Sequence, residues 1–241
     1  MKKVSQLTLS VQLPDDETFA SFQSESNQLV VQQLQHYLEH ISESAPEHNK
    51  KVHSLYLFGL MGVGKSHLLH ASCVYADTLG ATSLCLSFSE LTQLSVDVLE
   101  GLENIDLVCL DDIQLIAGNI EWQQAVFDLY NRMIEQNKCL IITGDQSVAE
   151  LKITLPDLVS RLSWGLTEQL KPLTDKEKSF ALQYRAQQRG LFISDDVASF
   201  LINRLSRDMT SLLAALEQLD QASIREQRRI TIPFVKDILF N

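Results

Sequence analysis

Gly59-Leu60-Met61-Gly62-Val63-Gly64-Lys65-Ser66 meets the pattern G-x-x-x-x-G-K-Ser/Thr, a spacing suited to holding phosphate. Glycines let the loop's backbone N–H groups, those of Met61, Gly62 and Val63 among them, wrap phosphate oxygens, and a following helix adds a favourable dipole. Lys65 then reaches the outer phosphates and the Ser66 hydroxyl ligates magnesium. Such a loop needs a carboxylate at the end of a neighbouring strand, and Leu107-Val108-Cys109-Leu110-Asp111-Asp112 supplies two. Asp111 is the metal-side candidate. Asp112 is placed to polarise an attacking water, although an aspartate reaches less far than a glutamate, which argues against vigorous hydrolysis. Thr143 and Asp145, at the end of another apolar run, are candidates to contact the terminal phosphate or its water. Arg161, taken alone, reads as a solvated surface charge. His67 and His70 lie three apart with no third ligand evident, so packing is the reading. No G-x-S-x-G elbow and no H-E-x-x-H motif is present, which removes those hydrolase and metalloprotease classes.

The elements around these residues alternate. Residues 55–58 read as a buried strand, the glycine-rich turn follows, and 65–78 read as a helix closed by Gly80. Strands are expected at 82–88, 105–110 and 139–143 and within 165–170, with helices at 91–102 and 120–135. Alternation of this kind implies a doubly wound parallel sheet in an α/β domain. Upstream, apolar residues recur at helical spacing over 27–41. After Pro172 the strands stop. Thr174 and Glu177 form a capping box, Ser194, Asp208 and Thr231 cap further helices, and Pro233 sits in the first turn of the last one. The expected organisation is a flexible tail at 1–14, an α/β nucleotide-binding domain at 15–171 and a small α-helical lid at 172–241.

Composition sets limits. At 241 residues, 45% of them apolar and 21% charged, the chain has ordinary globular values, and it can bury roughly three quarters of its unfolded surface. No apolar run approaches the roughly 18 residues that cross a bilayer, and the N-terminus lacks the apolar core of an export signal. Cys73, Cys85, Cys109 and Cys139 are widely spaced and read as reduced, buried thiols of a cytoplasmic protein. A net charge of −11 argues against broad electrostatic capture of nucleic acid.

Taken together, these residues resemble the DnaA family of bacterial replication initiators, which are AAA+ P-loop ATPases, and more closely its short regulatory members. Gly64-Lys65-Ser66-His67-Leu68-Leu69-His70-Ala71 is similar to the family's P-loop helix, and Leu110–Ile113 and Ile142–Asp145 to its Walker B and sensor 1 segments. Thr18-Phe19-Ala20-Ser21-Phe22 with Ser26-Asn27-Gln28-Leu29 resembles the segment lining the base pocket, so Phe19, Phe22, Asn27 and His67 join the expected nucleotide site. Ser160-Arg161-Leu162-Ser163-Trp164-Gly165-Leu166 resembles the segment whose arginine acts as a trans-acting finger. The resemblance implies an α/β sheet domain with an α-helical lid, a bound adenine nucleotide (ADP or ATP) and Mg2+.

Gln6-Leu7-Thr8-Leu9-Ser10-Val11 resembles the peptide by which the short members dock on the DNA polymerase III sliding clamp. Gln6, Leu7, Leu9 and Val11 are therefore the expected partner-binding residues. DnaA continues into a helix-turn-helix DNA-binding domain whereas this sequence reaches Asn241 at the end of the lid, so sequence-specific DNA binding is not expected. Two positions depart from the pattern. In register with DnaA the lid arginine of sensor 2 falls on Thr210, and Asp157 stands where a second arginine would precede Arg161. Both point to nucleotide held as a structural ligand more than turned over. The implied function is stimulation of ATP hydrolysis by DnaA, with homo-oligomers plausible; a helicase loader or a free-standing NTPase using Asp112 as base remain alternatives.

Overall fold

The computed structural model describes residues 17–39, 41 and 54–240. A helix, α1 (Gln28–Glu39), precedes the first strand, β1 (Ser54–Phe58), and the glycine-rich turn leads into α2 (Lys65–Thr78). The chain continues through β2 (Ser83–Ser87), α3 (Phe88–Leu91), β3 (Leu107–Asp111), α4 (Ile120–Glu135), β4 (Cys139–Gly144), α5 (Pro156–Trp164) and β5 (Leu166–Gln169). The strands pair in the order β2-β3-β4-β1-β5, all parallel. β1 thus lies between β4 and β5, and the carboxyl ends of β1, β3 and β4 converge on one edge, where doubly wound sheets bind ligands.

Both sheet faces are covered, which is why the strands read as continuous apolar runs. Leu55, Leu57, Cys109 and Ile141 pack with Leu34 and Leu38 of α1 and Leu68 and Leu69 of α2. The alternate residues, Tyr56, Val108, Leu110 and Ile142, pack with Val126, Leu129 and Met133 of α4 and Leu158 of α5. All four cysteines are free thiols, three of them buried. Among the described residues no helix is long and apolar enough to cross a membrane.

One expected helix is absent. Residues 91–102 form only the end of α3 and two 3-10 turns, Val96–Leu99 and Leu102–Asn104. Ser95 takes extended backbone and its side chain accepts from the Asp97 N–H, and Gly101 takes left-handed backbone. The Ser95 side chain offers the backbone an alternative to the helical ladder and the left-handed Gly101 interrupts it, so the apolar spacing is spent on separate turns.

After β5 come α6 (Asp175–Gln188), α7 (Asp195–Arg204), α8 (Met209–Glu226) and α9 (Ile232–Leu239). They enclose a core of their own around Leu182, Leu201, Leu212, Leu216 and Phe234. The Thr174–Glu177 capping box is formed in both directions, and Ser194, Asp208 and Thr231 each accept a backbone N–H at the starts of their helices.

Candidate nucleotide-binding site

Helix α2 begins inside the glycine-rich turn. Gly64 has φ 99°, and a Cβ there would fall 2.5 Å from Cε2 of Phe22, so glycine serves both the left-handed backbone and the approach of the ring. Lys65 is buried, and its Nζ donates to the Gly59 carbonyl at 2.8 Å and the Leu60 carbonyl at 3.2 Å. Burial lowers its pKa, opposed by the charges of Asp112, Asp111 and Asp145. The Ser66 hydroxyl donates to Asp111 Oδ2 at 2.5 Å. The other carboxylate oxygen of Asp111 accepts from the Thr143 hydroxyl, whose oxygen accepts the Asp112 N–H at 3.0 Å. The first turn of α2 and the carboxyl ends of β3 and β4 are thus tied together. Asp112 takes left-handed backbone, φ 62°, and its Oδ1 accepts from Gln114 Nε2 at 2.8 Å.

A cavity of about 310 Å³ extends from this turn between the sheet domain and the lid. The loop from Met61 to Ser66, Asp112 and, from the lid, Met209 and Thr210 line one end, and Phe22, His67, Glu17 and Arg185 line the other. His67 Nε2 lies 2.9 Å from the Thr18 carbonyl, which can only accept, and Nδ1 lies 3.3 Å from Arg185 Nη2, which can only donate. These contacts require the neutral Nε2–H tautomer, and burial lowers the His67 pKa in the same direction. Arg185, buried on α6, donates to Glu17 Oε1 at 3.0 Å, and Glu17 Oε2 lies 2.5 Å from His70 Nδ1. Burial alone would depress His70, but the Glu17 carboxylate outweighs it and raises the pKa. Glu17 and Arg185 were not expected at the site. The available signal was that Arg185 occupies a buried, core-facing position on α6 beside Ala181, Leu182 and Ala186.

Other expected residues stand elsewhere. Phe19 packs edge-on against Tyr75, with ring centroids 5.7 Å apart, and does not line the cavity. Asn27 is fully buried; it accepts the Lys171 N–H at 2.8 Å and donates to the Lys171 carbonyl at 2.9 Å, fixing the start of α1 to the end of the sheet. Thr143 reaches the site through Asp111, and Asp145 contributes its charge near Lys65 without lining the cavity. Arg161 is half-buried on α5 and also lies outside the cavity lining. Thr210 lines the cavity whereas Arg204 stacks on Phe200 and Arg207 is exposed, so neither arginine supplies the lid with a cation there. Gln6, Leu7, Leu9 and Val11 fall outside the described residues.

A P-loop after the first strand, an acidic strand end beside it and a helical lid across the cavity define a P-loop protein of the AAA+ class. A family model described as the bacterial DnaA ATPase domain matches residues 13–169, and one described as the Hda lid domain matches residues 175–239. The chain belongs to the DnaA family, with a lid of the Hda kind. Among solved structures it is similar to domain III of the replication initiation protein DnaA from Thermotoga maritima, at 19% identity and TM-score 0.77 over 95% of this chain and 97% of that one. It is also similar to AMPPCP-bound DnaA from Aquifex aeolicus, at 22% identity and TM-score 0.66 over 88% of this chain and 66% of that one. A third likeness is to the RuvB Holliday junction branch migration motor of Thermotoga maritima, at 17% identity and TM-score 0.67, covering 94% and 72%.

Proposed function

We propose that this chain is a nucleotide-bound regulator that presses Arg161 against the ATP of a DnaA protomer, stimulates its hydrolysis and so represses re-initiation of chromosome replication. The observation that carries the reading is the position of Arg161. It lies off the chain's own cavity, and among the described residues no carboxylate pairs with it. A cation so placed is available to a nucleotide held by another chain. In DnaA's hydrolysis water attacks the γ-phosphorus, the bond to the bridging oxygen breaks, and a guanidinium meets the charge developing on the phosphoryl oxygens.

The chain's own cavity would take an adenine nucleotide, a reading supported by the AMPPCP-bound DnaA relatives. Ser66 and Asp111 suit magnesium, since a hydroxyl and a carboxylate already face each other at 2.5 Å. When bound, Mg2+ would neutralise phosphate charge there. Turnover by the chain itself is weak in this reading, because Asp112 is held by Gln114 and, among the described residues, the one lid cation lining the cavity, Arg185, is paired with Glu17. The tail peptide Gln6, Leu7, Leu9 and Val11 tethers the protein to the DNA-loaded sliding clamp, and the site is cytoplasmic.

Arg161→Ala tests the reading. A finger supplied in trans is worth roughly 10³ to 10⁵ in rate, whereas the ring contacts of a half-buried arginine are worth only about 0.5 to 2 kcal/mol to the fold. With DNA-loaded clamp and ATP-bound DnaA, the wild type should accelerate phosphate release and a folded, nucleotide-binding Arg161→Ala protein should not. Full stimulation by that variant would falsify the assignment. Alanines at Gln6, Leu7 and Leu9 should remove clamp binding while nucleotide binding persists; equal calorimetric titrations of clamp by both proteins would remove the tail from the proposal.

A further inference from the structure

Arg161 does not project freely from α5. Its guanidinium carbon lies 5.0 Å from the centroid of the Trp164 ring and 6.0 Å from that of Tyr130. Trp164 is three residues on, the spacing at which side chains of one helix face meet. Tyr130 comes from α4, and its hydroxyl shares a 2.6 Å hydrogen bond with Ser54 Oγ at the start of β1. The same serine sets the end of α5, for a Cβ on Gly165 would fall 2.2 Å from Ser54 Oγ and 2.5 Å from its carbonyl oxygen. Gly165 lets the helix end lie against β1, which brings Trp164 and Tyr130 to the same guanidinium. Trp164 itself is 67% exposed, so its ring is not there to fill a core.

From this arrangement we propose that Trp164 is a positioning residue for Arg161, forming with Tyr130 an aromatic cradle that delivers the guanidinium pre-ordered to its target phosphate. The inference rests on the finger reading above. Aromatic rings attract a guanidinium through its planar face. Its N–H donors point outward in the plane and stay available for phosphate oxygens. A carboxylate partner would order the side chain equally well but would occupy those donors and cancel the charge that a developing phosphoryl transition state requires. The aromatic cradle does neither. Misplacing a catalytic group by about 1 Å costs on the order of 10²-fold in rate, so a side chain fixed before the encounter accounts for a tryptophan left at the surface.

The test measures stimulated DnaA hydrolysis against concentration of the full-length protein, on DNA-loaded clamp, for wild type, Trp164→Ala, Trp164→Phe and Arg161→Ala. Trp164→Ala should lower the maximal stimulated rate at least tenfold while the half-saturating concentration stays within threefold, and Trp164→Phe should recover most of the loss. A partner-free measurement accompanies it: the Arg161 Nε–H resonance should be ring-current shifted in the wild type and move toward the free-arginine position in Trp164→Ala. An unaltered maximal rate in Trp164→Ala, or a change confined to half-saturation, overturns the positioning role, the second by making Trp164 a direct partner contact. An unshifted wild-type resonance overturns the cradle itself. Full stimulation by Arg161→Ala is a separate failure, that of the finger reading.

Discussion

The Ser66 hydroxyl donates to Asp111 Oδ2 at 2.5 Å, joining the first turn of α2 to the end of β3. The two groups that would share a magnesium ion are therefore preset against each other.

Adenine nucleotide with Mg2+ should raise the melting temperature. A ligand that binds only the native state adds about 2.7 kcal/mol at a hundredfold excess over its Kd, which for a chain of this size is roughly 5 to 10 °C. Lys65→Ala should lose most of that gain, and Asp111→Asn should show in Mg2+ only the shift that wild type shows in EDTA. Scanning fluorimetry decides it. No shift in wild type at millimolar nucleotide would remove the nucleotide from the site.

Thr143 does its work inside the fold. Its hydroxyl donates to Asp111 and accepts the Asp112 N–H, so Thr143→Ala leaves an amide and a carboxylate oxygen short of partners. The cost should be about 1 to 3 kcal/mol, and Thr143→Ser should recover most of it. Urea unfolding of both variants measures the difference; equal stability of Thr143→Ala and wild type would contradict the network.

The strands, the P-loop and the helix caps were legible because each is written in adjacent residues. Asp111 and Ser66 were legible too, since the P-loop pattern demands a carboxylate at a neighbouring strand end. The Glu17–Arg185 pair was not, because its members stand 168 positions apart and only the approach of α6 to the segment before α1 brings them together. Phe19 and Phe22 lie in one short segment, yet Phe22 covers Gly64 while Phe19 turns to Tyr75, a choice made by packing that no local pattern records. The 91–102 segment failed for the opposite reason. Its apolar spacing is helical, but Ser95 takes up a backbone N–H with its side chain and Gly101 takes left-handed backbone that a helix does not use.

The cluster of Glu17, His67, His70 and Arg185 makes stability depend on pH with two different signs. The folded pKa of His67 is lowered, so its contribution is present above the unfolded value near 6.5 and is lost as pH falls through the folded value. The folded pKa of His70 is raised, so its contribution is full below about 6.5 and is lost as pH rises through the folded value. Glu17, lowered in the fold, adds a loss on the acid side. The stability difference between wild type and His70→Gln should therefore be largest below pH 6.5 and shrink toward pH 9. For His67→Gln the difference should instead shrink on acidification. Chemical denaturation across pH 5 to 9 reads both curves, and parallel curves for the two variants would contradict the assignment of partners.

The last prediction concerns Thr210, which lines the phosphate end of the cavity on the second residue of α8. That helix is capped by Asp208, whose Cβ faces Gly62 of the P-loop and whose pKa is held down at about 2 by hydrogen bonds from Ser206 and the Ser211 N–H. The lid therefore brings the start of α8 against the loop with no cation at Thr210, where one would favour an additional phosphate. Thr210→Arg places a guanidinium on the cavity side of α8, and a hydrogen bond to a charged group is worth about 1.5 to 3 kcal/mol. Because Thr210 is exposed, the lower figure applies, a factor of roughly ten in affinity. Calorimetry with ADP and a non-hydrolysable ATP analogue should show Thr210→Arg tightening the triphosphate about tenfold relative to the diphosphate, while Arg207→Ala, exposed and off the cavity, changes neither. If both nucleotides tighten equally, the new cation meets phosphates common to both and α8 does not face the terminal one.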